Sequence, residues 1–151
     1  MSKVFYEDIE VGEEHESTGR TVTEADVMNF AGLSADFNNM HIDEEFAKKT
    51  VFKTRVAHGL CVLSISSGLW FTMPRLATIA FMGLEDWRFS GAVKFGDTIK
   101  IKRRLAEKRE HKRPNMGFLI WDLEVLNQEN EVVQKGKWVI LVQRRELNEK
   151  S

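Results

Sequence analysis

The hydrophobic rhythm of the chain changes about halfway along. Up to Pro74 apolar residues recur at helical spacing, and from Ile99 onward they alternate with polar ones. The first pattern marks an amphipathic or buried helix, and the second a half-buried strand. Thr23-Glu24-Ala25-Asp26 predicts a helix start, with Thr23 as cap, acidic residues in the first turn, and Val27, Phe30 and Ala31 on one face. That helix should end near Leu33, because Ser34 to Asn39 is loop chemistry, and Asp43 should cap a short helix running to Lys48. Between Gly59 and Met73 there is no Lys, Arg, Asp or Glu, and Leu60, Val62, Leu63, Ile65, Leu69, Trp70 and Phe71 cover the helical wheel. A helix apolar all round must be wrapped by other structure, and Pro74 supplies its stop.

In the second half Ile99 and Ile101 alternate with Lys100 and Lys102. Leu119, Trp121, Leu123 and Val125 line one face of a later run, and Trp138, Ile140 and Val142 one face of the last. Gly96-Asp97 and Asn127 to Asn130 provide turns between them. Antiparallel strands following one buried helix predict an α+β domain, a sheet curled around a central helix. Apolar surface left on a free sheet edge would favour a homodimer.

Composition narrows the class. A chain of 151 residues that is 42% hydrophobic and 30% charged fits one compact domain spanning residues 1–151. With 22 basic against 23 acidic residues the net charge is −1, which gives no attraction to nucleic acid or to an anionic membrane. The single Cys61 excludes an internal disulfide and points to a reducing compartment. Glu7, Asp8 and Glu10 interrupt the N-terminus, so no signal peptide is read there, and the apolar part of Val56–Pro74 is short for a membrane span. The expectation is a cytoplasmic protein.

The densest polar cluster is Ser34-Ala35-Asp36-Phe37-Asn38-Asn39-Met40-His41-Ile42-Asp43. An Asp and a His in one turn-prone loop can converge as an acid–base pair, although Asp and Asn in loops also serve simply to bond local backbone. Next comes His58-Gly59, at the start of the apolar helix. Unpaired N–H groups at a helix N-terminus attract developing negative charge, and glycine lets a ligand approach closely. Equally, Gly59 can be a turn residue and His58 a capping or core histidine. His41, Asp43 and His58 lack H-E-x-x-H or C-x-x-C spacing, so no metal is expected. Cys61 reads as core, and Ser64, Ser66 and Ser67 as hydroxyls bonding the carbonyl one turn back. The basic residues Lys102, Arg103, Arg104, Lys108, Arg109, Lys112 and Arg113 read as a solvated strand face, with a phosphate cradle as the lesser reading. His15 and His111 have no partner pattern.

Three motifs in order carry a resemblance. Leu33 to His41, then Phe46-Ala47 and His58-Gly59-Leu60, resembles the hydratase-2 motif of MaoC-like (R)-specific enoyl-CoA hydratases, Ser-Gly-Asp-x-Asn-Pro-hydrophobic-His with a downstream His-Gly. Trp87 to Ile99 is similar to that family's Arg-Phe…Pro-Val…Gly-Asp strand pair, and the likeness runs from about Tyr6 to Val142.

The resemblance implies a hotdog fold, usually dimerised through sheet edges. It also implies reversible (R)-specific hydration of trans-2-enoyl-CoA to 3-hydroxyacyl-CoA. By the same likeness, Asp36 and His41 would be the catalytic pair holding water, with Asn38 supporting their loop. Gly59 would offer its N–H to the thioester oxygen, next to His58. Ser67 would fall where the family often places a serine bonding the active-site Asp or His. The coenzyme A or acyl-carrier thioester is then substrate, and no cofactor is needed. Three residues depart from the motif. Asn39 stands for Pro and Ala92 for a strand Pro, while Ala35 stands for Gly and should therefore keep a negative φ. A hotdog acyl-CoA thioesterase and a non-catalytic acyl-thioester-binding module remain alternatives. Trp70, Phe71 and Met73 are candidates for setting acyl-tunnel depth.

Overall fold

The computed structural model describes residues 2–145. Two short strands, β1 (Glu14–Glu16) and β2 (Arg20–Thr21), lead into helix α1 (Glu24–Ser34). Two single-turn helices follow, α2 (Asn39–Ile42) and α3 (Glu44–Ala47), and then the central helix α4 (Gly59–Leu69). The alternating half forms four long strands, β3 (Thr78–Phe89), β4 (Thr98–Glu110), β5 (Met116–Leu126) and β6 (Val132–Gln143). They make one antiparallel sheet in the order β1-β4-β5-β6-β3, with β2 beside β1 on β4.

Period two places Ile99, Ile101 and Leu105 of β4 on one face with Leu119, Trp121, Leu123 and Val125 of β5 and with Trp138, Ile140 and Val142 of β6. All ten are buried in one cluster with Cys61, Val62, Ile65 and Leu69 of α4. Each large side chain so removed from water contributes about 1.5–3 kcal/mol, which is what holds the sheet around the helix. The α+β arrangement expected from the alternating pattern is therefore present.

Three features differ from expectation. First, α4 and the turn that follows it are not wrapped on every side: Leu60 and, beyond the helix end, Phe71 are 59% and 67% exposed, with Ser64, Ser67 and Gly68 exposed between them. Those small and polar residues break the apolar wheel along one stripe. Second, β3 escaped the alternation test because three register shifts interrupt it, between Thr78 and Ala80, Phe81 and Gly83, and Glu85 and Arg88. Its outer edge pairs with no strand among the described residues, and Ile79, Phe81, Met82 and Leu84 are exposed along it.

Third, Arg103 is not on a solvated face. It has the parity of Ile99 and Ile101 and is 1% exposed. Its guanidinium lies 4.1 Å from the Trp70 ring centre and 4.6 Å from that of Trp121. Nε–H donates to His15 Nδ1 (3.0 Å) and Nη2–H to the Pro74 carbonyl (2.8 Å). Stacking on aromatic faces and two hydrogen bonds offset only part of the desolvation of this charge: Nη1 finds no partner among the described residues, and burial pulls the guanidinium down to about 9. No helix among the described residues is long and apolar enough to cross a membrane.

Candidate active site

The site begins where α1 ends. Thr23 and Asp26 cap its start reciprocally, each side chain accepting from the other's backbone N–H. At its end Ala35 adopts the left-handed conformation, φ 60° and ψ 18°, contrary to the negative φ expected. The chain has to reverse within one residue there, which is the usual requirement of a helix stop; glycine meets it freely, whereas alanine carries strain of about 1–2 kcal/mol.

That reversal presents Asp36. Its N–H donates to Ser34 Oγ (3.1 Å), and its own Oδ1 accepts from the Asn38 N–H (3.2 Å). Asn38 Oδ1 in turn accepts from the Met40 N–H (3.2 Å) and so caps α2. Asn39 is the first residue of α2, the helical position where proline fits without loss of a hydrogen bond. One turn of α2 then carries His41 inward, to 5% exposure, while Asp36 stays exposed.

The two histidines have fixed tautomers. His41 Nδ1 lies 2.6 Å from the Val56 carbonyl, and His58 Nε2 lies 2.8 Å from the Asp36 carbonyl. A carbonyl only accepts, so both nitrogens carry hydrogen. His41 is left with Nε2 and His58 with Nδ1 as the free ring nitrogen, the latter buried and without a partner. The rings stack with centroids 3.7 Å apart and an interplanar angle of 27°, and Phe30 packs 4.9 Å from His58.

Asp36, His41 and His58 bring their ligand atoms within 4.8 Å of one another. A tetrahedral ion would need lone pairs meeting about 2.0–2.1 Å from each nitrogen. With one nitrogen of each ring committed to a carbonyl, His41 Nε2, His58 Nδ1 and the Asp36 carboxylate are the atoms left to hold a proton or an ion. Asp43 is elsewhere: it caps α3 through the Phe46 N–H (3.0 Å).

Gly59 opens α4, and His58 occupies the cap position without a side-chain cap bond. The His58 carbonyl accepts from the Val62 N–H (3.1 Å), which fixes the peptide plane, and the Gly59 N–H finds no acceptor among the described residues. A cavity of about 520 Å³ lies over this point, with Asp36, His41, His58 and Gly59 on its polar side. Phe30, Met40, Phe52, Leu60 and Ala92 form its apolar walls. A larger depression, about 870 Å³, lies on the outer face of the sheet among Glu14, Arg88, Lys102, Arg104 and Asp122. Its lining mixes both charge signs, and its one histidine, His15, has Nδ1 taken by the Arg103 Nε–H, so the smaller cavity is the candidate site.

The expected site residues thus divide. Asp36, Asn38, His41, His58 and Gly59 gather at one place. Ser67 does not: it sits on the open stripe of α4 and donates to the Ser64 carbonyl. The tunnel candidates also lie apart from the cavity, since Trp70 and Met73 are buried core and Phe71 is on the surface. Cys61 is core, and burial pushes its thiol up to about 11. Sequence reasoning overlooked Phe30, Met40 and Phe52 as walls. It also overlooked Gln134, which is 2% exposed and bonds the Gly59 carbonyl. Parity was the available signal, because Gln134 shares the inward face of Trp138 and Ile140.

A curled sheet around a central helix, with this loop and helix start at one end, defines a hotdog-fold protein. The model of the MaoC like domain matches residues 8–118, and the chain belongs to that family. An (R)-specific enoyl-CoA hydratase of Rhodospirillum rubrum is 38% identical over 63% of this chain. A solved monoamine oxidase regulatory protein from Archaeoglobus superimposes with a TM-score of 0.85 and 38% identity, covering 94% of this chain and 95% of its own. The R-hydratase of Pseudomonas aeruginosa, unliganded, gives 0.78 at 30% identity, with 94% and 87% covered. The chain spans 31% and 65% of the lengths of the first two curated relatives it matches.

Proposed function

We propose that this protein adds water to a trans-2-enoyl thioester, or removes it from the (R)-3-hydroxyacyl thioester, using Asp36 and His41. The carrying observation is the hydrogen bond from His41 Nδ1 to the Val56 carbonyl. It leaves Nε2 as a lone pair in the neutral ring, and as a proton donor once that nitrogen is charged. Asp36, across the same cavity, is the second group able to hold a water molecule.

In hydration, the Gly59 N–H receives the thioester oxygen and draws charge away from C3. Water held between Asp36 and His41 attacks C3, and its proton passes to one of the pair. A proton is then delivered to C2 on the same face, so one OH and one H are added in all. Positioned acid–base help is typically worth about 10²–10⁴-fold, and an N–H aimed at the developing oxyanion a further 10²–10³-fold. The residues need no metal or redox partner for these steps, and coenzyme A or an acyl carrier belongs to the substrate. Ile79, Phe81, Met82 and Leu84, exposed along β3, supply the apolar face through which two copies would pair as a homodimer.

The test is crotonyl-CoA hydration by Asp36→Asn and His41→Gln, followed as loss of enoyl absorbance. Each should lose at least about 10²-fold in kcat while keeping the wild-type unfolding midpoint. Near-normal turnover in either variant overturns the assignment.

A further inference from the structure

The Gly59 N–H is useful only if the first turn of α4 is held still, and the cap residue His58 spends its side-chain bond on the Asp36 carbonyl rather than on the N–H groups of that turn. Gly59 itself is gripped from β3 and β6. Gln134 Nε2 donates to the Gly59 carbonyl (2.9 Å), and Gln134 Oε1 accepts from Trp87 Nε1–H (3.1 Å). A carbonyl can only accept and an indole N–H can only donate, so the two partners leave the amide one orientation.

The indole is aimed by a bulge. Asp86, at φ 50°, and Trp87 lie in the register shift between Glu85 and Arg88, opposite Gly136 of β6. A Cβ at Gly136 would fall 2.8 Å from Trp87 Cα and 3.0 Å from the Asp86 carbonyl oxygen, so the bulge can close this tightly only over glycine. Extra residues of this kind re-aim side chains beside functional sites. Phe89, the β3 partner of Gln134, lays its ring on Gly59 from the other side, 2.7 Å from where a Cβ would be.

Building on the proposed hydratase reading, we infer that Gln134, oriented by Trp87, is a positioning residue for the oxyanion donor. It touches no reacting atom. It fixes the peptide that follows Gly59, as the Val62 N–H fixes the one before it. The polarisation of a bound thioester carbonyl therefore depends on a side chain separated in sequence by three whole strands from both the acid–base loop and the helix start. Gln134→Leu keeps the volume and removes the amide. Gln134→Glu keeps an acceptor for Trp87 but turns an oxygen toward the Gly59 carbonyl. Trp87→Phe keeps an aromatic ring and frees the amide to turn.

The experiment measures kcat and KM on crotonyl-CoA, together with the absorption red shift of a bound conjugated dienoyl-CoA, which reports carbonyl polarisation. Gln134→Leu and Gln134→Glu should lose about tenfold in kcat with KM within twofold, less than the 10²–10³-fold of deleting a donor outright. The red shift should shrink in both, and the pH profile should keep its wild-type shape. Trp87→Phe should lose less, and should add nothing in a Gln134→Leu background. Wild-type kcat and red shift in the Gln134 variants overturn the inference. So does a loss that tracks only a lowered unfolding midpoint. Absence of turnover in the wild-type protein overturns the hydratase reading itself, and is told apart because it appears before any substitution is made.

Discussion

Ala35→Gly should stabilise the protein. The left-handed conformation at Ala35 costs an L-residue about 1–2 kcal/mol, because Cβ approaches the following carbonyl oxygen. Glycine removes that term but gives the unfolded chain extra freedom worth about 0.4–1 kcal/mol. Ala35 is exposed, so deleting its methyl group opens no cavity and forfeits no transfer energy. Central values leave a net gain of about 0.8 kcal/mol, within a range of about 0–1.6 kcal/mol. For a domain of this size each kcal/mol moves the melting temperature by about 2–4 °C, so Tm should rise by about 1–4 °C. Urea denaturation provides the cleaner reading: the midpoint should move up at unchanged m, since the surface exposed on unfolding stays the same. Ala35→Val should move it down, as a β-branched residue is a still worse occupant of this conformation. A lowered midpoint for Ala35→Gly at constant m would refute the reasoning, because it would mean the turn is not left-handed in solution.

Two further outcomes follow from contacts around the site and in the core. Gly59→Ala places a Cβ 2.7 Å and 2.9 Å from Phe89 Cδ1 and Cε1, and overpacking of this kind costs about 1–3 kcal/mol; the variant should fold with a lowered urea midpoint, and Phe89→Ala should restore it. His15 Nδ1 accepts from Arg103, so His15 must be neutral in the folded protein, and burial followed by the Arg103 charge lowers its affinity for a proton. The unfolded chain then binds more protons than the folded one as pH falls through the ordinary histidine range, about 6.5, and stability should drop there. His15→Gln, which keeps an acceptor, should flatten that part of the stability–pH curve; an unaltered slope would contradict the assignment.

The helices and the inner strands were legible because their signals are local and strong. Thr23 with Asp26 gives a complete capping box, and the buried positions of β4, β5 and β6 keep strict parity. β3 was not legible, since its bulges break the alternation on which strand recognition depends. Arg103 was misread by residue type, although parity places it with Ile99 and Ile101. The loop from Ser34 to His41 announced itself through polar density and through the motif likeness, yet Ala35 was judged from its side chain rather than from the reversal the helix end demands. Ser67 shows the limit of carrying a role over by position: one step around α4 separates a buried hydroxyl, Ser66, from one facing the open stripe. Parity marks Gln134 as inward-facing, but its partner at Gly59, like the cavity walls, depends on which distant elements meet, and no local pattern encodes that.

The stack of Trp70, Arg103, Trp121 and Trp138 shares no residue with the walls of the candidate cavity. This separation divides the protein into two regimes of evolvability. Truncating one of those tryptophans would cost about 3–5 kcal/mol, a large share of the whole stability of a domain this size. Exchanging Leu60 or Phe52, which are partly open to solvent, touches the cavity without disturbing that stack. The mouth of the cavity can therefore be reshaped by single substitutions while the aromatic–arginine stack is held fixed by the demands of folding alone.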